Sequence, residues 1–449
     1  MKARAFGIPP AIALAALIGS LHARAQAPPN YQAVALEVAK WIRTSRLETS
    51  FGITWPADPH DPKTVSTALF SGSPGIILFL LELYQATGDR AYLDDAKRGA
   101  DELLTKINTE NHMGLYDGIA GIGFALGETF RATREEQYRR GVMNTVKILS
   151  AHAGVVGKGV QWNNTTGIIS GSAGIGLYLL YVDDLLHDAD SRALAIRSGD
   201  RLLDLAVPEK GGAIWAAVLS SHRVMPNFSH GTAGVSYFLA TLYTRTREQR
   251  FLDGALSGAK YLLAIAKTDG DICLVPYDQT DNPDLFYLGW SHGPAGTARL
   301  FYQLYSATGN DTWMMWVKRS ANGILTSGIP EKRTPGFWNN VGQDSGSAGV
   351  AQFFLDLYGV TKDPAYLRFA RKMTDDLLAR ATRDDFGTRW VQAENREHPD
   401  NLVAQTGYMQ GAAGIGSWLL RLDGAQRGRA PFVRFPDSPW PSAPPKQGP

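Results

Sequence analysis

Gly72-Ser73-Pro74-Gly75-Ile76-Ile77-Leu78-Phe79-Leu80-Leu81-Glu82-Leu83-Tyr84 sets two glycines one helical turn apart, then a run that is apolar nearly all round. Such a run reads as a buried helix, because a surface helix keeps a polar face. Outward from it comes a polar break, Thr87-Gly88-Asp89, and then Ala91 to Leu104, where apolar residues recur at helical spacing. The unit is an inner buried helix followed by an outer, half-exposed one. The same opening recurs at Gly118/Gly121, Gly171/Gly174, Gly231/Gly234, Gly293/Gly296, Gly346/Gly349 and Gly411/Gly414. Seven such units at steps of 46 to 65 residues form a repeat array.

A helix pair of this kind cannot bury its inner face alone, so neighbours must stack. Open solenoids use units of about 33–47 residues with capped ends. Larger units with fully apolar inner helices instead predict a closed ring: an all-α, α/α toroid of seven helical-hairpin repeats over residues 26–423. The glycines suit that closure, since residues without a Cβ let crowded helix ends approach at the centre. Residues 424–449 carry seven prolines and no helical period, and read as an extended or disordered tail.

Residues 1–25 read as a secretory signal: Lys2 and Arg4, an apolar run from Ala11 to Ile18, then Ala23-Arg24-Ala25 before Gln26. The apolar run is well short of the roughly 20 residues that a membrane span needs. Its removal takes the formal charge from +2 to −1, so no electrostatic case exists for nucleic acid or an anionic membrane. A periplasmic or secreted location is the expectation. Cys273 is the lone cysteine, so the fold stands on packing without an intrachain disulfide.

The residue before each first glycine is polar: Ser71, Asp117, Ser170, His230, His292, Ser345 and Gln410. Ser or Asp there can cap a helix start. Histidine is not a preferred cap, so His230 and His292, equivalent in adjacent repeats, are candidates for chemistry. Seven helix N-termini converging on one face also gather partial positive charge and free N–H donors. The loops into that face carry Trp55, Trp162, Trp215, Trp290, Trp338 and Trp390. These are either hydrophobic plugs or a rim on which a sugar or side chain stacks. Asp58, Asp61, Asp278, Asp281, Asp284 and Glu394 lie on the same loops.

Ser229-His230-Gly231, Gly289-Trp290-Ser291-His292-Gly293 and Ser345-Gly346-Ser347-Ala348-Gly349, within the sevenfold pattern, resemble the lanthionine synthetase C-like family over roughly residues 50–423. The resemblance implies a double-layered helical toroid. In that family's peptide cyclases a central zinc ion activates a substrate cysteine thiol for addition to a dehydrated Ser or Thr. Carried over, the family's catalytic histidine falls on His230. Its Trp-Cys-x-Gly zinc motif falls on Trp290-Ser291-His292-Gly293, and its Cys-His-Gly motif on Asp344-Ser345-Gly346. Serine hydroxyls are poor zinc ligands. The expectation is therefore no family-type zinc and no other cofactor, with a rebuilt site of His230, His292 and Asp344 as the alternative.

Three functions fit. One is a zinc-free relative that binds or modifies a peptide, with His230 and His292 handling protons and Asp344 orienting one of them. Its substrate would be met by Asp117, Trp55, Trp290, Ser291, Trp338 and Gln410. The second is an exported carbohydrate-active enzyme of glycoside hydrolase, lyase or sugar epimerase type, taking a glycan. The third is a binding protein without catalysis. Substrate, reaction and oligomeric state are left open by these features.

Overall fold

The computed structural model describes residues 30–221 and 223–441, so the expected signal at 1–25 lies outside the described residues. Helix α1 (Tyr31–Thr44) precedes the repeats. Every Gly-x-x-Gly turn then opens an inner helix of 15 residues. These are α2 (Ser73–Thr87), α4 (Ile119–Thr133), α6 (Ser172–Leu186), α8 (Thr232–Thr246), α10 (Pro294–Thr308), α12 (Ser347–Thr361) and α14 (Ala412–Gln426). Six outer helices alternate with them: α3 (Arg90–Lys106), α5 (Glu136–Ala151), α7 (Ala189–Asp204), α9 (Gln249–Ile265), α11 (Asp311–Leu325) and α13 (Pro364–Ala379).

The polar break between the helices of a pair is a two-residue turn. Its first residue is left-handed (Gly88 and Gly309, but also Arg134, His187, Arg247 and Lys362) and closes the inner helix. In four of the six pairs the second residue caps the outer helix with its side chain, as where Asp89 accepts from the Ala91 N–H at 2.9 Å and Asp363 from that of Ala365 at 2.9 Å.

The ring closes: each inner helix packs on the next, and α14 returns against α2. One detail corrects the sequence reading. The seventh inner helix is not followed by an outer one; α1, from the start of the domain, packs on α14 and fills that place. Joining the two ends of the chain in this way leaves no open edge. Five short two-stranded antiparallel ribbons decorate the loops. Among the described residues no helix is long and apolar enough to cross a membrane.

As far as residue 441 the C-terminal segment is extended, as its prolines predict, and it is packed rather than disordered. α14 runs past 423 to Gln426, and the chain then turns into the toroid. The backbone N–H groups of Phe432 and Val433 donate to Glu82 at 3.1 and 2.8 Å. Val433, Phe435, Asp437 and Trp440 are buried. Asp437 sits at the centre: its carboxylate accepts from the Tyr116 hydroxyl at 3.2 Å and Trp290 Nε1 at 3.1 Å. Arg299 donates to its carbonyl at 2.9 Å and its carboxylate at 3.3 Å. The segment is a plug, held because apolar side chains fill the barrel and one buried carboxylate meets one buried guanidinium.

Candidate functional site at the mouth of the toroid

The mouth is built on a backbone feature repeated in every unit. The residue two before the first glycine donates its N–H to the carbonyl of its counterpart in the next repeat. Phe70 donates to Tyr116 (2.9 Å), Tyr116 to Ile169 (2.9 Å), Ile169 to Ser229 (3.2 Å) and Ser229 to Ser291 (3.0 Å). Ser291 then donates to Asp344 (3.0 Å), Asp344 to Met409 (2.9 Å), and Met409 back to Phe70 (2.9 Å). Seven hydrogen bonds thus form a closed circle. A third glycine, four before the first, makes room for it in five repeats. A Cβ on Gly289 would lie 2.5 Å from Ser345 Cα, and one on Gly167 2.6 Å from His230 Cα. The turn glycines themselves have extended backbone, so close approach rather than a left-handed angle demands them.

His230 and His292, one residue along from this circle in adjacent repeats, stack with ring centroids 5.5 Å apart at 28°. His292 is also enclosed edge-on by Tyr277 at 4.8 Å and Tyr287 at 5.1 Å. Each histidine keeps a partly exposed edge, while packed protein surrounds the rest. Burial, reinforced by the nearby Arg223 charge, pushes His230 down to about 4. Burial, His230 and Arg223 together hold His292 well below its ordinary range. Both rings are therefore neutral at physiological pH, and His292 Nδ1 has no hydrogen-bond partner.

Asp344 lies beside them on the next repeat. Burial raises its carboxyl to about 6, against the pull of a hydrogen bond from Ser345. Ser345 Oγ donates to Oδ2 at 2.8 Å, and Oδ1 is unpartnered. Ser291 Oγ donates to Ser229 Oγ at 2.8 Å. The three positions that match the family's zinc ligands, Ser291, Asp344 and Ser345, are thus neighbours in a hydroxyl–carboxyl network. Among the described residues no three His, Cys, Asp or Glu side chains gather as a metal site. That geometry also gives no support to a rebuilt triad of His230, His292 and Asp344.

Two clefts meet at His292. One, of about 450 Å³, is walled by Tyr287 and Trp338 and edged by Asp344, Glu394, Arg396 and Gln410. The other, of about 260 Å³, holds Ser170, Arg223, His230 and Tyr277. Of the residues expected at the substrate, Trp338 and Gln410 line the first cleft, and Ser291 lies beneath it in the network. Asp117, next to Tyr116 of the circle, lines neither cleft; burial raises its carboxyl, against the pull of a hydrogen bond with Ser170.

The remaining tryptophans are bonded into or packed within the framework, which suits plugs, the first of the two readings, rather than a rim. Trp55 is fully buried, against the Gly99 backbone of α3, and Trp290 points down into the barrel at Asp437. Trp162, Trp215 and Trp390 each donate their indole N–H to the carbonyl of a leucine in an outer helix: Leu149, Leu202 and Leu377, at 2.7, 2.6 and 2.7 Å. The spacing is 13 residues each time. They add a donor at the helix ends, where Leu202 and Leu377 also accept from the Leu205 and Arg380 N–H groups at 3.2 Å each. Asp278 is likewise internal: it accepts from the N–H groups of Thr280, Asp281 and Asn282 at 2.9, 2.6 and 3.0 Å, and from Arg223 at 3.0 Å.

Sequence reasoning missed Arg223, Tyr277, Tyr287 and Arg396. They sit on loops without repeat period, and only the folded ring brings them to the histidines.

The family model for lanthionine synthetase C-like proteins matches residues 63–435. No curated protein sequence matches the chain. Among solved structures, nisin cyclase is similar with a TM-score of 0.64 at 16% identity, covering 90% of this chain and 96% of that one. The α-1,6-mannanase of Salegentibacter sp. HEL1_6 is similar with a TM-score of 0.50 at 15% identity, covering 88% and 99%. An inactive variant of that mannanase in complex with α-1,6-mannotriose gives a TM-score of 0.50, 15% identity and coverage of 88% and 98%. At these identities the likeness is one of fold.

Proposed function

Since the chain belongs to the lanthionine synthetase C-like family, we propose that it binds a peptide across the mouth of its toroid. There it handles protons on the peptide with His230, His292 and Asp344, without the family's zinc. The observation that carries this reading is the stacked histidine pair, with His292 lining both clefts and Asp344 edging the larger one. Neutral imidazoles accept a proton from a nucleophilic side chain, and a carboxyl near pH 6 either gives or takes one. Trp338 and Tyr287 supply the apolar wall of the site.

The donor set supports a zinc-free reading. Two hydroxyls and one hydrogen-bonded carboxyl stand where thiolates and imidazole would be needed. The basic start and Ala23-Arg24-Ala25 add export, to a periplasmic or extracellular place of work. A second reading has one specific observation in its favour: Asp344 and Glu394 share a cleft with the aromatic wall of Tyr287 and Trp338, a composition that suits a glycan.

The test joins metal analysis of the protein purified without chelator or affinity tag to a binding panel of peptides and glycans. Expected are less than about 0.1 zinc per chain and peptide binding weakened about tenfold in His292→Ala. Stoichiometric zinc would sink the zinc-free mechanism, and binding confined to glycans would replace the peptide reading by the second.

A further inference from the structure

The two clefts that meet at His292 differ in charge. The larger carries the carboxyls of Asp344 and Glu394 beside one arginine. The smaller has Arg223 and no carboxylate among its lining residues. Arg223 is not a loose surface cation. The fully buried Asp278 holds it through Nη2 at 3.0 Å, and its guanidinium lies over the Tyr277 ring, 5.3 Å from the centroid. Asp278 is itself fixed by three backbone N–H groups, so the arginine is aimed before any ligand arrives.

Two further features make this arm receptive to an anion. Asp278 engages the guanidinium through Nη2, and the Arg223 side chain still keeps 40% of its surface open. Gly171, the N-cap of α6, lines the same cleft, so a helix N-terminus adds partial positive charge. A planar guanidinium held by one edge presents its remaining N–H groups in the fork that matches a carboxylate.

We propose that the Arg223 cleft is a carboxylate-recognition subsite, so that the peptide bound at this mouth carries an acidic group on the His230 side. The inference rests on the peptide reading above. The subsite sets direction as well as affinity: the anionic group lies at Arg223, the rest of the peptide runs past His292, and the Asp344–Glu394 cleft rejects a second acid. The carboxylate is either an acidic side chain or the C-terminus of the peptide, and at about 260 Å³ the cleft holds one such group.

The experiment uses the full mature protein and four probes: glutarate, and three acetylated alanine-rich pentapeptides. One peptide has a central glutamate and an amidated end, one a central glutamine and an amidated end, and one a central glutamine and a free carboxyl end. Binding is measured by calorimetry and by the imidazole NMR signals of His230. Glutarate and one charged peptide are expected to bind about tenfold more tightly than the neutral peptide. That preference should vanish in Arg223→Gln, survive in part in Arg223→Lys, and shrink as salt rises. Which charged peptide binds tells side chain from C-terminus. Thermal unfolding checks that both variants fold, since Asp278 keeps its backbone partners. Charged and neutral peptides binding alike, or glutarate binding Arg223→Gln as well as wild type or failing to bind at all, would overturn the subsite. Glutarate binding through Arg223 with no peptide bound would leave the subsite standing and remove the peptide reading.

Discussion

Asp437→Ala should unseat the plug. Arg299 is only 8% exposed, and among the described residues Asp437 is its one ion-pair partner, at 3.3 Å. Removing one member of a buried ion pair costs about 3–5 kcal/mol, chiefly because the other charge is stranded. Tyr116 and Trp290 lose their acceptors in the same step, at about 1–3 kcal/mol each if they stay buried. Those terms do not simply add, because the chain has an escape: residues 427–441 can leave the barrel and let water reach all three donors. The expected loss is therefore about 3–5 kcal/mol in urea-induced unfolding, with the segment released well before the toroid melts. Trypsin reads the release directly. Arg434 is exposed but flanked by the buried Val433 and Phe435, so cleavage after it requires the segment to undock. Asp437→Asn, which keeps an acceptor, should fall between variant and wild type. An unchanged urea midpoint, with cleavage after Arg434 no faster in Asp437→Ala, would refute the argument that this carboxylate holds the plug.

Gly289→Ala should cost about 1–3 kcal/mol by urea unfolding, because its Cβ would stand 2.5 Å from Ser345 Cα beneath the Ser291–Asp344 link of the circle; wild-type stability would show that the loops have slack. Trp215→Phe keeps the buried ring but removes one of the two donors to the Leu202 carbonyl, and should cost about 0.5–1.5 kcal/mol by urea unfolding. Asp344→Asn isolates a pH effect. Because burial raises the native carboxyl from 3.8 to about 6, the folded state holds that proton more tightly than the unfolded chain. Wild type then loses about 3 kcal/mol relative to the variant as pH rises from about 4 to about 6. Urea midpoints of the two proteins that run parallel across that window would contradict the shift.

The toroid was legible because its repeat is written in glycines, and glycine marks close backbone approach wherever it recurs. The same logic extends further than the Gly-x-x-Gly pairs, for Gly114, Gly167, Gly289, Gly342 and Gly407 recur four residues earlier, in five of the seven repeats. The role of α1 was not legible. Its amphipathic run resembles any outer helix, and nothing local says that it belongs to the last repeat rather than the first. The tryptophans stayed open between two readings because sequence gives spacing but not side-chain direction. A 13-residue step from a leucine in the outer helix was the available sign that Trp162, Trp215 and Trp390 point back to a helix end. In the tail, prolines correctly excluded a helix, while Val433, Phe435 and Trp440 were the apolar residues that needed a place to go. His230 and His292 stood out because histidine is an odd choice at a helix start, whereas Arg223 and Tyr277 had no such signal.

The architecture leaves room for family membership to coexist with the zinc-free chemistry proposed above. The circle that closes the mouth is made of backbone N–H and carbonyl groups, and it asks of the sequence only that neighbouring glycines leave room. Ser291 and Asp344 are both links in that circle, and Ser345 adjoins it, yet none of the three contributes its side chain to a link. A ligand set at these positions can therefore be exchanged without breaking the closure. Here the hydroxyls and carboxyl have found one another instead, through Ser291 to Ser229 and Ser345 to Asp344. Fold and chemistry are thus carried by separate atoms of the same residues. Resemblance in the repeat speaks for the first alone, and the second has to be read from the side chains around His292.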